Sequence, residues 1–292
     1  MELLFGDLST AEIILFLLAI VVAAVAAGFL AGLFGIGGGA VMVPVFSELF
    51  ERIGGVDTPF QSLAVSTSLA VIVVTGIQSA RTHYSVINHD TGERVMDVET
   101  LKKYAIFVPL GVLVGLFVLG ASNQNSLILI FAAVAGLIGL QTLFMPKGIS
   151  FSQGGPKTPV AQLGGVGIGL ISVLMGIGGG VLNNMFMTLQ GTPLKRAIAT
   201  SAAVGVLIAI PGAVGAVYVG WGAAGLPPLS LGYVNILVML VAIPITSFMA
   251  PIGARLTHSL PTQTVKTAFG IFLLVTAARA AQKVLAPDLL PF

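Results

Sequence analysis

The stretch Gly35-Ile36-Gly37-Gly38-Gly39 decides the fold, because it interrupts an apolar segment and returns as Gly176-Ile177-Gly178-Gly179-Gly180. A second element follows each copy in the same order: Ala-Val-Ser-Thr-Ser at 64–68 and Ala-Ile-Ala-Thr-Ser at 197–201. The spacings are 141 (176 − 35) and 133 (197 − 64), and their difference fits a longer loop in the first half, at 51–58. Two elements repeated in order indicate an internal duplication, which is common in transporters.

Composition places the chain in lipid rather than in water. Of 292 residues, 56% are hydrophobic and 8% charged, whereas a soluble domain has about a quarter charged residues. The 13 basic and 11 acidic residues form no basic patch interleaved with aromatic residues, which argues against a nucleic-acid partner. There is no cysteine, and three scattered histidines are too few for a metal centre, so we expect neither a metal nor a cofactor.

Stretches without charge are long enough for about eight membrane-spanning helices, each of which needs about 20 residues. They are 13–36, 59–80, two within 104–145, 158–194, two within 197–254, and one from 267 past Arg279. Two shorter apolar pieces, 40–50 and 181–190, are predicted to be half-membrane or re-entrant helices, although complete crossings stay open. The predicted fold is an all-α integral membrane protein.

The distribution of basic residues gives the halves opposite orientations. Four connections carry ten of the 13 basic residues: 81–103, 147–157, 195–196 and 255–266. Basic residues near a membrane favour its cytoplasmic side. Placing all four connections there leaves Arg52, Arg279 and Lys283 elsewhere and puts the N-terminus outside. The sequence therefore predicts two inverted-topology halves, 1–146 and 158–292, joined by a cytoplasmic linker at 147–157.

The glycine runs are the predicted substrate site. Three consecutive glycines unwind a helix, and unpaired amides in lipid cost several kcal/mol, so such a break needs protein or a polar cavity around it. Inverted-repeat transporters aim half-helix N-termini at anionic groups near the midplane. We therefore expect residues 37–39 and 178–180 to approach each other near the membrane centre. The predicted substrate-binding residues are Gly37, Gly38, Gly39, Ser66, Thr67, Ser68, Gly178, Gly179, Gly180, Asn183, Asn184, Thr200 and Ser201.

Each of these residues also has a structural interpretation. Small residues permit close helix packing in membranes, so the glycine runs can serve packing alone. The hydroxyls can bond back to their own helices. A set of predicted vestibule residues, Gln78, Arg81, Lys195 and Arg196, can attract an anion or simply anchor the cytoplasmic side.

With these residues in view, the chain resembles the TauE/SafE sulfite exporter family. The resemblance lies in Gly32-Leu33-Phe34-Gly35-Ile36-Gly37-Gly38-Gly39 with Pro44, in the second glycine run, in the element at 197–201, and in the stretch at 251–258. It implies a bacterial inner-membrane carrier of sulfite, sulfonates or related organosulfur anions. The two arms differ, since Asn183-Asn184 stands where the first arm has Met42-Val43.

The predicted function is a secondary transporter that moves a small sulfur-containing anion by alternating access at a midplane site. The alternative is a passive anion channel on the same architecture. The sequence contains no hydrolase or metalloprotease motif, so we do not expect an enzyme. The expected partners are a small anion and membrane lipid. Because no acidic residue lies in the middle of a span, a coupling ion (proton or sodium) and the direction of transport stay open, as does the oligomeric state.

Overall fold

The computed structural model describes residues 10–34, 37–54, 57–87, 92, 94–144, 150–152, 154–256 and 262–286. Within these ranges the chain forms ten α-helices and one short hairpin. In chain order they are α1 (Thr10–Phe34), α2 (Gly39–Ile53), α3 (Phe60–Tyr84), α4 (Val98–Ala121), α5 (Gln124–Phe144), α6 (Thr158–Met175), α7 (Gly180–Leu189), α8 (Leu194–Val219), β1 (Ser230–Leu231), β2 (Val234–Asn235), α9 (Ile236–Leu256) and α10 (Thr262–Leu285).

Eight of these helices are long and apolar enough to cross a membrane, which confirms the predicted fold class and number of spans. The other two, α2 and α7, have 15 and 10 residues. At 1.5 Å per residue they are too short for a hydrocarbon core about 30 Å thick. One predicted boundary is wrong: α4 begins at Val98 rather than at Tyr104, because the Asp97 carboxylate caps it by accepting from the amide of Thr100 at 3.0 Å.

The two halves have the same order of helices, which is long, short, long, long, long. They are also interlocked, because the first helix of each half packs on the fourth helix of the other: α1 on α9, and α6 on α4. The third helices, α3 and α8, pack against each other, and so do the last helices, α5 and α10. The duplication seen in the sequence thus produces a paired arrangement of equivalent helices.

Glycine lets the first and fourth helices of these two pairs, which we call the exchanged pairs, approach each other backbone to backbone. A Cβ atom on Gly32 of α1 would overlap the carbonyl oxygen of Ala250 in α9. In the other exchanged pair, a Cβ atom on Gly111 of α4 would overlap the carbonyl oxygen of Val166 in α6. Close approach through small residues is a main source of helix association in membranes, where lipid is as apolar as the side chains.

Loop contacts define one face of the bundle, the Thr58 face. The Thr58 hydroxyl donates to the carbonyl oxygen of Gly225 at 2.9 Å, and the Gln124 side chain donates to the carbonyl oxygen of Thr58 at 2.7 Å. The loops before α3, before α5 and after α8 therefore lie together.

The opposite end of α4 defines the Asp97 face. There the Arg196 guanidinium lies 3.6 Å from the Asp97 carboxylate, and the amide of Gly155 donates to the carbonyl oxygen of Gln190 at 3.0 Å. Equivalent helices consequently start at opposite faces: α3 starts at the Thr58 face, and α8 starts at the Asp97 face. This is the inverted arrangement predicted from the sequence.

An ionic network on the Thr58 face accounts for the three basic residues outside the four basic connections. Glu48 of α2 pairs with Arg52 at 2.9 Å and with Arg279 and Lys283 of α10 at 3.4 Å, and Lys283 also pairs with Glu51. Burial by itself raises the pKa of Glu48, but the Arg52 hydrogen bond and the charges of Lys283 and Arg279 together hold that pKa below its ordinary value. The network ties the first short helix to the last helix of the other half.

Candidate functional site

The two glycine runs meet at the middle of the bundle. A Cβ atom on Gly37 would lie 3.3 Å from the Cα of Gly178 and 3.0 Å from the side chain of Ile72, which is halfway along α3. A Cβ atom on Gly178 would lie 3.0 Å from the same isoleucine and 3.6 Å from the Cα of Gly205 in α8. The predicted contact between the runs is confirmed, while Gly35 and Ile36 lie outside the described residues.

Packing alone requires glycine at this meeting point. A Cβ atom on Gly39 would overlap the carbonyl oxygen of Gly176, and one on Gly38 would lie 2.5 Å from the carbonyl oxygen of Ala27. The packing interpretation of the glycine runs is therefore correct. A role in binding is compatible with it and stays a prediction.

Both short helices start at this centre and leave it in opposite directions. Their N-cap residues, Gly38 and Gly179, have φ values of 77° and 67°, a left-handed conformation that glycine adopts without steric cost. Neither cap has a side-chain hydrogen bond, and the amides of Gly39 and Gly180 have no acceptor among the described residues. The positive ends of two helix dipoles thus converge between α3 and α8.

In the first hydroxyl element, Ser66-Thr67-Ser68, two hydroxyls form hydrogen bonds with other parts of the described chain and one does not. All three of its residues are buried. Ser68 donates to the carbonyl oxygen of Gly176 at 2.8 Å, and the Thr67 hydroxyl accepts from the amide of Asn235 at 3.0 Å. The Ser66 hydroxyl has no partner among the described residues. Of the three predicted donors, Ser66 is therefore the one whose hydroxyl has neither a donor nor an acceptor among the described residues, whereas Thr67 accepts a hydrogen bond and Ser68 donates one.

The second hydroxyl element connects to the second short helix. The Asn183 side chain, fully buried in α7, donates to the Ser201 hydroxyl at 2.7 Å. This contact leaves the Ser201 proton and the Asn183 carbonyl oxygen available, and that oxygen has no partner among the described residues. The Thr200 hydroxyl is differently placed: it donates to the carbonyl oxygen of Arg196 at 2.8 Å and accepts from the amide of Asp97 at 2.9 Å.

Thr67 and Thr200 form a matched pair of contacts, which we call the crossed clamps. Thr67 of α3 holds the amide of Asn235, the residue before α9, and Thr200 of α8 holds the amide of Asp97, the N-cap of α4. Each third helix therefore fixes the start of the fourth helix of the other half. These two predicted site hydroxyls lie at opposite faces, each bonded to a helix start.

The predicted vestibule residues all lie towards the Asp97 face. Arg81 and Lys195 are exposed, and Gln78 is half-buried with a side-chain oxygen, Oε1, that is buried and has no partner among the described residues. Arg196 is paired loosely with Asp97 at 3.6 Å, a distance longer than a hydrogen bond.

Comparison with known proteins gives a consistent assignment. The family described as "Sulfite exporter TauE/SafE" matches residues 20–280. The chain belongs to the TauE/SafE sulfite exporter family. It is 35% identical over 252 residues to a probable membrane transporter protein of Haemophilus influenzae, which covers 86% of this chain and 92% of that protein. It is 27% identical over 283 residues to the probable membrane transporter protein YunE of Bacillus subtilis, and this match covers 88% of this chain and 94% of that protein.

A probable membrane transporter protein of Methanocaldococcus jannaschii is 28% identical over 250 residues, and this match covers 85% of this chain and 89% of that protein. No solved structure matches the chain significantly. The family, the relatives and the eight spans together make this chain a multi-pass membrane transporter.

In this TauE/SafE family member the Asp97 face carries a polar cleft of about 330 Å³ that sequence reasoning missed. Its lining residues come from the start of α4, the loop before α6, and the connection from α7 to α8: Asp97, Glu99, Thr100, Lys103, Gly154, Pro156, Gly191, Thr192, Pro193 and Arg196. The signal available in the sequence was Thr192-Pro193-Leu194-Lys195-Arg196, a helix start with two cations and no acidic residue. The described residues contain no cluster of metal-binding side chains.

A buried hydroxyl beside the second glycine run is also absent from the predicted set. Ser172 of α6 is fully buried, its oxygen would lie 3.1 Å from a Cβ atom on Gly179, and it has no partner among the described residues. The first half has Ala31 at the corresponding place (172 − 141), so the repeat pattern did not point to a polar residue there.

Proposed function

We propose that this transporter carries a small sulfur-containing anion, such as sulfite or a sulfonate, by alternating access at the site between the two glycine runs. The observation that carries the proposal is that the two glycine runs meet at Ile72, the midpoint of α3, where Gly37 and Gly178 approach each other. The short helices that begin beside this contact, at Gly39 and Gly180, have N-terminal amides without an acceptor among the described residues. Amides and dipole ends of this kind bind oxyanions. The family description supports sulfite as the first substrate to test.

Neutral donors surround this proposed site. Ser66, Ser172 and Ser201 are fully buried and keep a hydroxyl proton to donate, while the buried Asn183 amide already donates to Ser201 and so positions that hydroxyl. A site made of dipoles binds an anion without a fixed counter-charge that would slow its release. We expect substrate to contact the second run more than the first, because Ser172, Asn183 and Ser201 all belong to the second half.

In alternating access as proposed here, one interlocked pair of helices, α1 with α9, moves against the other pair, α4 with α6, around the central contact. The proposed membrane is the bacterial inner membrane, with the Asp97 face in the cytoplasm and the N-terminus outside. An inside-negative potential then supplies about 2.3 kcal/mol per charge per 100 mV for anion export, so export needs no coupling ion.

The test is transport by the purified protein in liposomes. A carrier preloaded with unlabelled sulfite is expected to accumulate labelled sulfite transiently by exchange, and its initial rate is expected to saturate. A channel gives neither exchange nor saturation. Thermal unfolding with sulfite, thiosulfate, sulfate, sulfoacetate, taurine and chloride then ranks the anions, since a ligand that binds only the folded state raises its stability.

A matched pair of variants locates the site. Ser201→Ala removes a donor from the proposed site, and we expect the concentration of substrate needed for half-maximal transport to rise about tenfold, as for a hydrogen bond to a charged group. Ser68→Ala changes the equivalent serine, whose proton is already given to Gly176, and is expected to affect stability more than affinity. Equal affinity in wild type and Ser201→Ala would contradict the site.

A further inference from the structure

We propose that the polar cleft at the Asp97 face is a second anion site, which binds a tetrahedral oxyanion at the N-terminus of α8. The cleft holds two helix starts of opposite character, that of α4 and that of α8. This inference depends on the proposed function only for the identity of the anion, since oxyanion binding at this face is measurable whether or not the anion is transported.

The start of α4 already contains its own negative groups. Asp97 caps the helix, accepting from the amide of Thr100 at 3.0 Å and from its hydroxyl at 2.9 Å, and Glu99 lies in the first turn. Carboxylates in these positions satisfy free amides and compensate the positive end of the helix dipole. The two acidic residues of the cleft are therefore explained without a ligand.

The start of α8 lacks every one of these features. Its N-cap is Pro193, which has no side-chain hydrogen bond, and its first turn contains no acidic residue. The first amide bonded within the helix is that of Ala197, which donates to the carbonyl oxygen of Pro193 at 3.0 Å. The amides of 194–196 precede it, so a 26-residue helix presents its positive end to the cleft with no acidic residue in its own first turn to compensate it.

Thr192 supplies an independent sign that a ligand belongs here. Its side chain is 6% exposed and lines the cleft, yet its hydroxyl has no partner among the described residues. A buried hydroxyl without a partner is destabilising, because it has lost its hydrogen bonds to water, and a bound acceptor removes that cost. Carbonyl and carboxylate acceptors of the protein do not reach it within the described ranges, so an acceptor from outside the chain fits the position.

Two cations complete the site. Arg196 and Lys103 line the cleft, and the Arg196 Nε has no hydrogen-bond partner among the described residues because its Asp97 contact is 3.6 Å long. A planar guanidinium with free donors suits the oxygens of a sulfate, sulfonate or phosphate group. The same tetrahedral chemistry is available from a free anion and from a lipid headgroup, and the test separates these sources.

The experiment measures equilibrium binding of radiolabelled inorganic sulfate to the full chain in an uncharged detergent. We expect saturable binding that Thr192→Val weakens about tenfold and Thr192→Ser largely restores, because serine keeps the hydroxyl. Lys103→Gln is expected to weaken binding, whereas Lys102→Gln, the same charge change at the exposed neighbour outside the cleft, leaves it within about twofold.

Binding of sulfate that is unchanged in Thr192→Val and Lys103→Gln, or no saturable binding, overturns the inference. Loss of sulfate binding in Ser201→Ala with normal binding in Thr192→Val would place the anion at the glycine runs instead. Normal cleft binding by a protein that transports no anion would refute the proposed function alone. Repeating the titration in phosphatidylcholine nanodiscs, with and without phosphatidylglycerol, identifies a lipid phosphate as the source if the anionic lipid displaces sulfate.

Discussion

The two short helices have the same backbone design and opposite chemistry. Each starts at a left-handed glycine in the centre of the bundle and ends at one face. The first, α2, begins with buried apolar side chains, including Met42, and ends in the ionic network around Glu48. The second, α7, has no charged residue and carries Asn183 and Asn184 one turn from its start.

This difference shows that the duplication preserved the backbone geometry while the side chains of the two short helices diverged. The ionic network of α2 lies at the far end from the centre and fixes the helix to α10. The polar groups of α7 lie beside the centre and contact Ser201 of α8. We infer that α2 forms the side of the proposed site that ion pairs hold in place, which we call the fixed wall. The other side, formed by α7, carries the polar groups that select the substrate, and we call it the selective wall.

The prediction with the largest expected effect disrupts the contact between the two glycine runs, where both short helices begin. Gly39→Ala places a methyl group against the carbonyl oxygen of Gly176, so we expect the free energy of unfolding to fall by about 2–3 kcal/mol, as for overpacking of a core. Titration with a denaturing detergent measures the change.

Gly136→Ala is the control, because its Cβ atom would lie 3.7 Å from that of Ala277, an ordinary contact. We expect it to keep or gain stability, since alanine is the better helix former. A stable Gly39→Ala variant would mean that the two glycine runs are not in tight contact.

The second prediction tests the selective wall. Asn183→Leu removes a polar group from α7, and we expect the initial transport rate at low substrate concentration to fall about tenfold or more. Met42→Leu changes the equivalent residue of α2 (183 − 141) and should stay within about twofold of wild type, since volume-conserving apolar exchanges are well tolerated.

Equal transport by both variants would show that the two helices contribute alike. The thermal unfolding midpoint of each variant separates a change in transport from a change in folding.

Third in size are the crossed clamps. Thr67→Val and Thr200→Val each remove the acceptor of one amide at a helix start, and each is expected to cost about 1 kcal/mol of stability. Hydrogen exchange should increase at Asn235 in the first variant and at Asp97 in the second. Faster exchange at both positions in either variant would contradict two separate clamps.

The smallest effect concerns the fixed wall. Glu48→Gln weakens a partly exposed ion-pair network, so we expect a loss below about 1 kcal/mol near neutral pH. The folded-state pKa of Glu48 lies below its ordinary value of 4.5, so the stabilisation is complete above that pH and is lost as the pH falls through the folded-state pKa. The difference in unfolding midpoint between wild type and variant should therefore vanish in acid.

Sequence patterns predicted the spans, the repeat and the contact between the glycine runs, because hydropathy and glycine spacing are properties of local sequence. They did not predict which helices pack together, since exchange of α1 and α6 between halves depends on non-local contacts. The roles of Thr67 and Thr200 depend on partners 168 and 103 residues away. Ser172 was missed because a single hydroxyl in an apolar stretch has no distinctive pattern. Thr192 was missed because only the fold brings the start of α8 beside the start of α4.

The crossed clamps have a consequence for biosynthesis. Asp97 leaves the ribosome 103 residues before Thr200, and Thr67 leaves it 168 residues before Asn235. Multidomain chains often fold their N-terminal part first during synthesis. Here the amide at the start of α4 has no clamp until α8 has entered the membrane, and α1 has no α9 to pack on until later still. The first half therefore inserts as an unfinished assembly, and translation of the second half completes both.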